Sequence, residues 1–188
     1  MGRWEPDAEG RFRAAALELF VERGYELTTV ADIAERAGLT SRTFFRHFVD
    51  KREVLFTGSE RLQELMVMAL MSAPPHAAAI EAVEAALAAT AGFFADNRPF
   101  ALKRNSVVLA NPDLYERELI KMATLSTALA RALRSRGVNE PDASLAAEAG
   151  IAVFRIAFGQ WVAEADQRGF GEIVRESLAR LRALTTPL

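Results

Sequence analysis

Apolar positions along this chain recur almost everywhere at helical spacing, and the strict alternation of a strand is nearly absent. Between Thr29 and Ala37, for instance, Val30, Ile33, Ala34 and Ala37 fall at i, i+3, i+4 and i+7, the pattern of a helix with one buried stripe. The same reading predicts nine helices, at about 6–23, 29–37, 41–47, 50–71, 77–95, 99–109, 112–136, 141–168 and 171–184. Gly24, Gly38, Gly137 and Gly169 punctuate helix ends. Pro74 and Pro75 break the chain after the fourth helix, because proline cannot donate into a helix ladder. Pro99, Pro112 and Pro141 stand where a first helical turn tolerates proline. The expected fold class is all-α, with a small N-terminal head over residues 1–56 and a larger helical body over residues 57–188.

The head contains a specific motif. A short helix ends at Ala37, Gly38 can take the left-handed conformation that closes it, Leu39 pins the turn, and Thr40 caps a second short helix. This is the layout of a helix-turn-helix, which lays its second helix in the DNA major groove. Thr29 and Asp32 have capping-box spacing at the start of the first of these helices, where the Thr29 hydroxyl also suits a phosphate contact. On the second, Phe44 and Phe48 lie four apart and face inward with Leu39, which turns Ser41, Arg42, Phe45 and Arg46 to the other side. Ser41 and Thr43 can bond base edges or phosphates, and Arg42 can read a guanine bidentately. Arg46, His47 and Lys51 are better placed for phosphates, which fix register without reading sequence. In isolation Arg42 and Arg46 read as a solvated helix face; the motif makes that face the expected docking face.

Composition narrows the function. Half of the 188 residues are apolar, enough for a substantial core. The net charge of −2 excludes a general basic coat, so a nucleic-acid contact must come from a local patch. Arg36, Arg42, Arg46, Lys51 and Arg52, opposed only by Asp50, supply one. The absence of cysteine removes thiolate chemistry, disulfides and thiolate metal sites. His47 and His76 are the only histidines, and no carboxylate or hydroxyl converges on His47 in sequence, so a phosphate or core-edge role outweighs a metal or general-base role. The first residues hold no apolar signal core, and the alanine-rich stretches are interrupted by charges such as Glu81, Glu84, Glu148 and Arg155. The expectation is a cytoplasmic protein with no membrane span, no metal and no cofactor.

Gly24-Tyr25, Thr28-Thr29-Val30 through Ala34, Ala37-Gly38-Leu39-Thr40, Thr43-Phe44-Phe45-Arg46-His47-Phe48 and Lys51-Arg52 with Leu55 closely resemble the tetracycline-repressor (TetR) family over roughly residues 11–56. The resemblance implies an N-terminal DNA-binding head, an effector-binding and dimerisation body, and a homodimer. It places Thr29, Ser41, Arg42, Thr43, Phe45, His47 and Lys51 against operator DNA, and the residue pattern adds Thr40 and Arg46 to the expected DNA contacts. Phe45 departs from the pattern, which usually has a tyrosine there whose hydroxyl reaches a phosphate. Packing on sugar or a thymine methyl is what the phenyl ring can still do, with Arg46 supplying the phosphate contact.

The body offers Phe93, Phe94, Phe100, Val107, Val108, Leu109, Ile151, Phe154, Phe158 and Trp161, large side chains that can fill a dry core or line an apolar cavity. Lys103, Arg104 and Asn105 interrupt the apolar run, either to meet an anionic group on a ligand or to face solvent. The stretch 103–109 followed by Asn111-Pro112-Asp113-Leu114 is similar to the body of acyl-CoA-binding regulators, including the mycofactocin-associated branch of the family. The expected effector is small and apolar or acyl-CoA-like, and the expected contacts are Phe93, Phe94, Arg104, Val108, Phe154, Phe158 and Trp161. The last two helices, through Leu145, Ala149, Ala152, Ile156, Gly159, Ile173, Val174, Leu178, Leu181 and Leu184, are expected to pair with a second copy as a four-helix bundle. The reading is a repressor released from a palindromic operator when an effector tilts the helix 50–71. The rivals are a helical DNA-binding or interaction module without an effector, and an all-helical enzyme acting on acyl thioesters.

Overall fold

A computed structural model describes residues 7–95, 97–163 and 168–185. Among these there are nine α-helices and no strand: α1 (Ala8–Arg23), α2 (Val30–Arg36), α3 (Ser41–His47), α4 (Ser59–Met71), α5 (Ala79–Phe94), α6 (Arg98–Ala110), α7 (Pro112–Ser135), α8 (Asp142–Ala163) and α9 (Phe170–Thr185). Most ends fall within a residue or two of the sequence expectation. The start at Pro6 and the stretch 164–167 lie outside the described residues.

The fourth helix is the main departure. Residues 50–58 do not join it; they form a short 3-10 turn at Glu53–Leu55 followed by Gly58 at φ 90°. Gly58 takes a conformation that a side chain would strain, and the chain restarts as α4 at Ser59. Asp50 holds the 3-10 turn in place, with Oδ1 accepting from the amides of Arg52 at 2.8 Å and Glu53 at 3.2 Å. These local bonds compete with helix formation at an Asp, which is why helical spacing alone overextended the element.

The chain divides into two compact units, residues 1–58 with 103–118, and residues 59–102 with 119–188. It crosses between them three times, at Gly58–Ser59 before α4, within α6 and within α7. In the first unit α1 packs on α2 and on the 3-10 turn, and α2 packs on α3. Phe12 and Phe44 are fully buried at its centre with ring centroids 5.2 Å apart, edge to face, and Phe48 lies 5.0 Å from Phe44. Each such ring contributes about 1.5–3 kcal/mol on burial.

In the second unit α4 packs on α5, and α5, α8 and α9 pack on one another. The core of this unit is Met66, Leu70, Val83, Leu87, Ile151, Phe154, Ile173 and Leu178 from these helices, with Leu129 and Leu133 from α7. Two expectations change here. Ile173, Val174 and Leu178, assigned above to a dimer surface, are buried within the protomer. Leu145, Ala152, Ile156 and Gly159 on α8, and Leu184 on α9, are the exposed members of that set, with Leu145, Ile156 and Leu184 at 64, 57 and 84 %. Second, α8 is long and apolar enough, by length and composition, to cross a membrane, despite Glu148 and Arg155. It is a core helix in this fold, burying Ala147, Gly150, Ile151, Phe154, Ala157 and Trp161.

Candidate nucleic-acid interface

The two short helices of the motif are fixed by their first residues. Thr29 caps α2 in a complete capping box: its hydroxyl accepts from the amide of Asp32 at 3.2 Å, while Asp32 Oδ2 accepts from the Thr29 amide at 2.8 Å. Asp32 Oδ2 also accepts the Thr29 hydroxyl proton at 2.6 Å, so both donors of Thr29 are spent on one carboxylate. The Thr29 hydroxyl and amide hold the Asp32 carboxyl below the usual carboxylate range. Thr40 caps α3, accepting from the amide of Thr43 at 3.1 Å. The hydroxyls of Thr40 and Thr43 lie 2.9 Å apart and share one of their two protons, leaving the other for a partner outside the chain.

Gly38 adopts φ 64° between the helices, as the turn requires. Arg11 on α1 reaches across to the carbonyls of Ala37 and Gly38. Thr28, buried just before α2, donates to the carbonyl of Gly24 at 2.8 Å. With Arg11 holding the turn and Thr28 the loop before α2, Phe44 and Phe48 anchor α3 inward, as the spacing predicts.

Arg42, Phe45, Arg46 and His47 are exposed on the outer face of α3, and Ser41 and Thr43 are half-buried. Phe45 is 58 % exposed and rests edge to face on Phe44 at 5.6 Å. Arg42, Thr43, Phe45 and Arg46 border an open hollow in this surface. The His47 ring lies at the edge of the aromatic core, 6.3 Å from Phe12 and 6.1 Å from Phe48.

The structure redistributes the basic patch. Arg36 forks onto Glu22 at 2.8 and 3.1 Å and reaches Glu18 at 3.3 Å. Arg52 closes on Asp50 at 2.6 Å. Lys51 turns inward, its Nζ donating to the carbonyls of Tyr25 at 2.8 Å and Thr28 at 3.1 Å while lying 4.2 Å from the centre of the Tyr25 ring. Of the five cations, only Arg42 and Arg46 have no hydrogen-bond or ion-pair partner among the described residues. Glu18 and Glu22 sit a helix away from Arg36, so its neutralisation has no short-range signature.

The residues expected to line an effector site separate into two groups. Phe93, Phe94, Phe154, Phe158 and Trp161 come together in the second unit and are joined by Phe170. Phe94 is the hub, 5.0 Å from Phe170, 5.6 Å from Phe158 and 5.7 Å from Trp161. Phe154, Trp161 and Phe170 are buried, and Phe93, Phe94 and Phe158 are half-buried. Phe170 opens α9 and shares no helical register with the others, so the sequence pattern does not mark it. Arg104 and Val108 belong to the first unit. There Val108 is buried, and Arg104 pairs with Glu118 at 2.6 Å while donating Nε to the Leu55 carbonyl at 2.8 Å.

Residues 12–57 match the family model described as bacterial regulatory proteins, tetR family, and residues 77–186 match the MftR C-terminal domain. The transcriptional regulator TcmR of Streptomyces glaucescens is 31 % identical over 161 residues, which is 80 % of this chain and 71 % of that one. Among solved structures, the TetR-family repressor FadR of Thermus thermophilus, determined in complex with lauroyl-CoA, is 25 % identical, with a TM-score of 0.58 over 96 % of both chains. A TetR-family regulator of Syntrophomonas wolfei shares the fold at a TM-score of 0.68 and 19 % identity, over 96 % of both chains. A capped, glycine-turned helix pair that presents Arg42 and Arg46 on its outer helix thus precedes a helical body that matches a regulator domain, and the chain belongs to the TetR family of transcriptional regulators.

Proposed function

We propose that this protein is a homodimeric repressor that binds a palindromic operator and is released by an amphipathic, acyl-CoA-like effector. The observation that carries the DNA half is the outer face of α3, where Arg42 and Arg46 are the patch cations left without a partner among the described residues. Arg42 and Thr43 read base edges, and Arg46 and His47 hold phosphates. Phe45 packs on sugar or a thymine methyl. Lys51 and Thr29 act mainly from beneath, by fixing the turn and the start of α2 through the bonds described above. Two copies set two α3 helices in successive major grooves.

The effector half is supported by the aromatic cluster around Phe94, which offers an apolar lining, by the MftR domain match, and by lauroyl-CoA in the FadR relative. Ligand weakens operator binding only if it favours the state that binds DNA less well. A second reading, a regulator whose body senses nothing, is favoured by the close ring contacts among Phe154, Trp161 and Phe170, which suit a filled core. The deciding experiment is a gel shift on DNA upstream of the protein's own gene, with and without lauroyl-CoA. Release supports the effector reading, and binding that ignores lauroyl-CoA removes it while keeping the regulator.

A further inference from the structure

Three charged contacts close a triangle in the first unit. Arg104, on α6, donates Nε to the carbonyl of Leu55 in the 3-10 turn at 2.8 Å. The same guanidinium pairs with Glu118, on α7, at 2.6 Å. Arg117, next to Glu118, returns to Glu53 at the start of the 3-10 turn, with Nε to Oε1 at 2.6 Å. The 3-10 turn, α6 and α7 are thus each tied to the other two. The Arg104 guanidinium also lies 5.0 Å from the centre of the Phe56 ring. The site is shielded: the side chains of Arg104 and Glu118 are 16 and 23 % exposed, and Val54, Leu55 and Phe56 are buried.

Shielded charge pairs with good geometry favour discrete arrangements over gradual ones, because a displaced partner leaves an uncompensated charge. The helices that carry them are the two in which the chain passes between its units. The DNA-facing residues of α3 take no part in the triangle.

We propose that Glu53, Arg104, Arg117 and Glu118 form a charged clamp that transmits the state of the operator-binding head into α6 and α7, and so into the body. They are positioning residues, and none of them touches DNA or effector. The inference builds on the operator-binding reading above, but its test needs no effector, because coupling is reciprocal and DNA can serve as the ligand whose effect is followed.

The experiment selects a tight-binding duplex from random DNA with the full-length protein, then follows amide hydrogen exchange with and without it. In the wild type, operator binding is expected to slow exchange within 119–135 by about fivefold, the lower end of allosteric coupling. Glu53→Arg sets like charges face to face and is expected to confine the slowing to residues 1–58. Arg117→Gln, a milder opening of the same side, is expected to do the same, and the swapped pair Glu53→Arg with Arg117→Glu is expected to restore the wild-type pattern. Slowing of 119–135 that is unchanged in both single variants overturns the clamp, as does a wild type that shows none. A single-variant defect that the swapped pair leaves in place also overturns it, since a purely structural injury gives that result. Failure to select any duplex overturns the operator-binding reading itself, and the clamp with it.

Discussion

Arg104 is bonded to the main chain of Leu55, 49 residues earlier, by an Nε–H donated to the carbonyl at 2.8 Å. A side chain that sequence reasoning offered to a ligand's anionic group is engaged inside the protein. Its removal leaves a buried acceptor at Leu55 and an unpaired carboxylate at Glu118. Orphaning such groups costs about 1–3 kcal/mol, so Arg104→Ala is expected to lower the urea midpoint of the ligand-free protein. Lysine cannot reproduce the planar fork, so Arg104→Lys is expected to recover less than half of the loss. Equal midpoints for wild type and Arg104→Ala would show that the contact contributes nothing to stability.

Salt dependence tests how the basic patch is used. Each neutralised phosphate contributes about −0.9 to the slope of log K against log salt. With Arg46 of each head on a phosphate and Arg42 on a base edge, a dimer neutralises two phosphates through these arginines, and the slope is expected near −1.8. Arg46→Gln is expected to reduce its magnitude by about 1.8. A wild-type slope near −7 would mean that Arg36, Lys51 and Arg52 leave their internal partners to bind phosphates as well.

Tyr25 reports on the packing around Lys51. Burial pushes its phenol from the ordinary 10.0 up to about 12, against a smaller opposing effect of Arg52. The folded state therefore favours the protonated ring. This stabilisation is fully present below pH 10 and is lost as pH rises through about 12. Tyr115→Phe leaves Tyr25 as the sole tyrosine. Absorbance titration of that variant is expected to give a midpoint near 12, moving to about 10 in denaturant. A midpoint near 10 in the folded protein would show that the ring is solvated.

The all-helical class, the caps at Thr29 and Thr40, the turn at Gly38 and the inward pair Phe44 and Phe48 are legible in the sequence because local chemistry decides each of them. Periodicity places the helices, and a hydroxyl or a glycine sets their ends. What escaped the sequence depends on residues far apart in the chain. Arg36 loses its free charge to Glu22, Arg104 to Glu118, and Lys51 to three carbonyls, and nothing near any of these residues marks the partner. The boundary of α4 escaped for the opposite reason: a very local competitor, the Asp50 carboxylate, outweighed a plausible helical pattern.

Two glycines of α8 give opposite expectations and separate the core face of that helix from its outer face. A Cβ built at Gly150 overlaps Val83 Cγ1, and Val83 is fully buried and stiff at χ1, so it cannot swing aside. Overpacking of this kind costs about 1–3 kcal/mol, which exceeds the helix-propensity gain of about 1 kcal/mol. Gly150→Ala is therefore expected to lower the melting temperature. A Cβ at Gly159 meets nothing within 4 Å, so within one protomer Gly159→Ala is expected to be stabilising. Gly159 shares the outer stripe of α8 with Leu145, Ala149, Ala152 and Ile156, where small residues let a second helix approach closely. If that stripe is the seam between two copies, Gly159→Ala is expected to shift sedimentation equilibrium toward monomer while leaving the helical content intact. Ile156→Glu, which puts a charge on the stripe, is expected to shift it further. A dimer constant untouched by both substitutions would move the seam to a different face of the body.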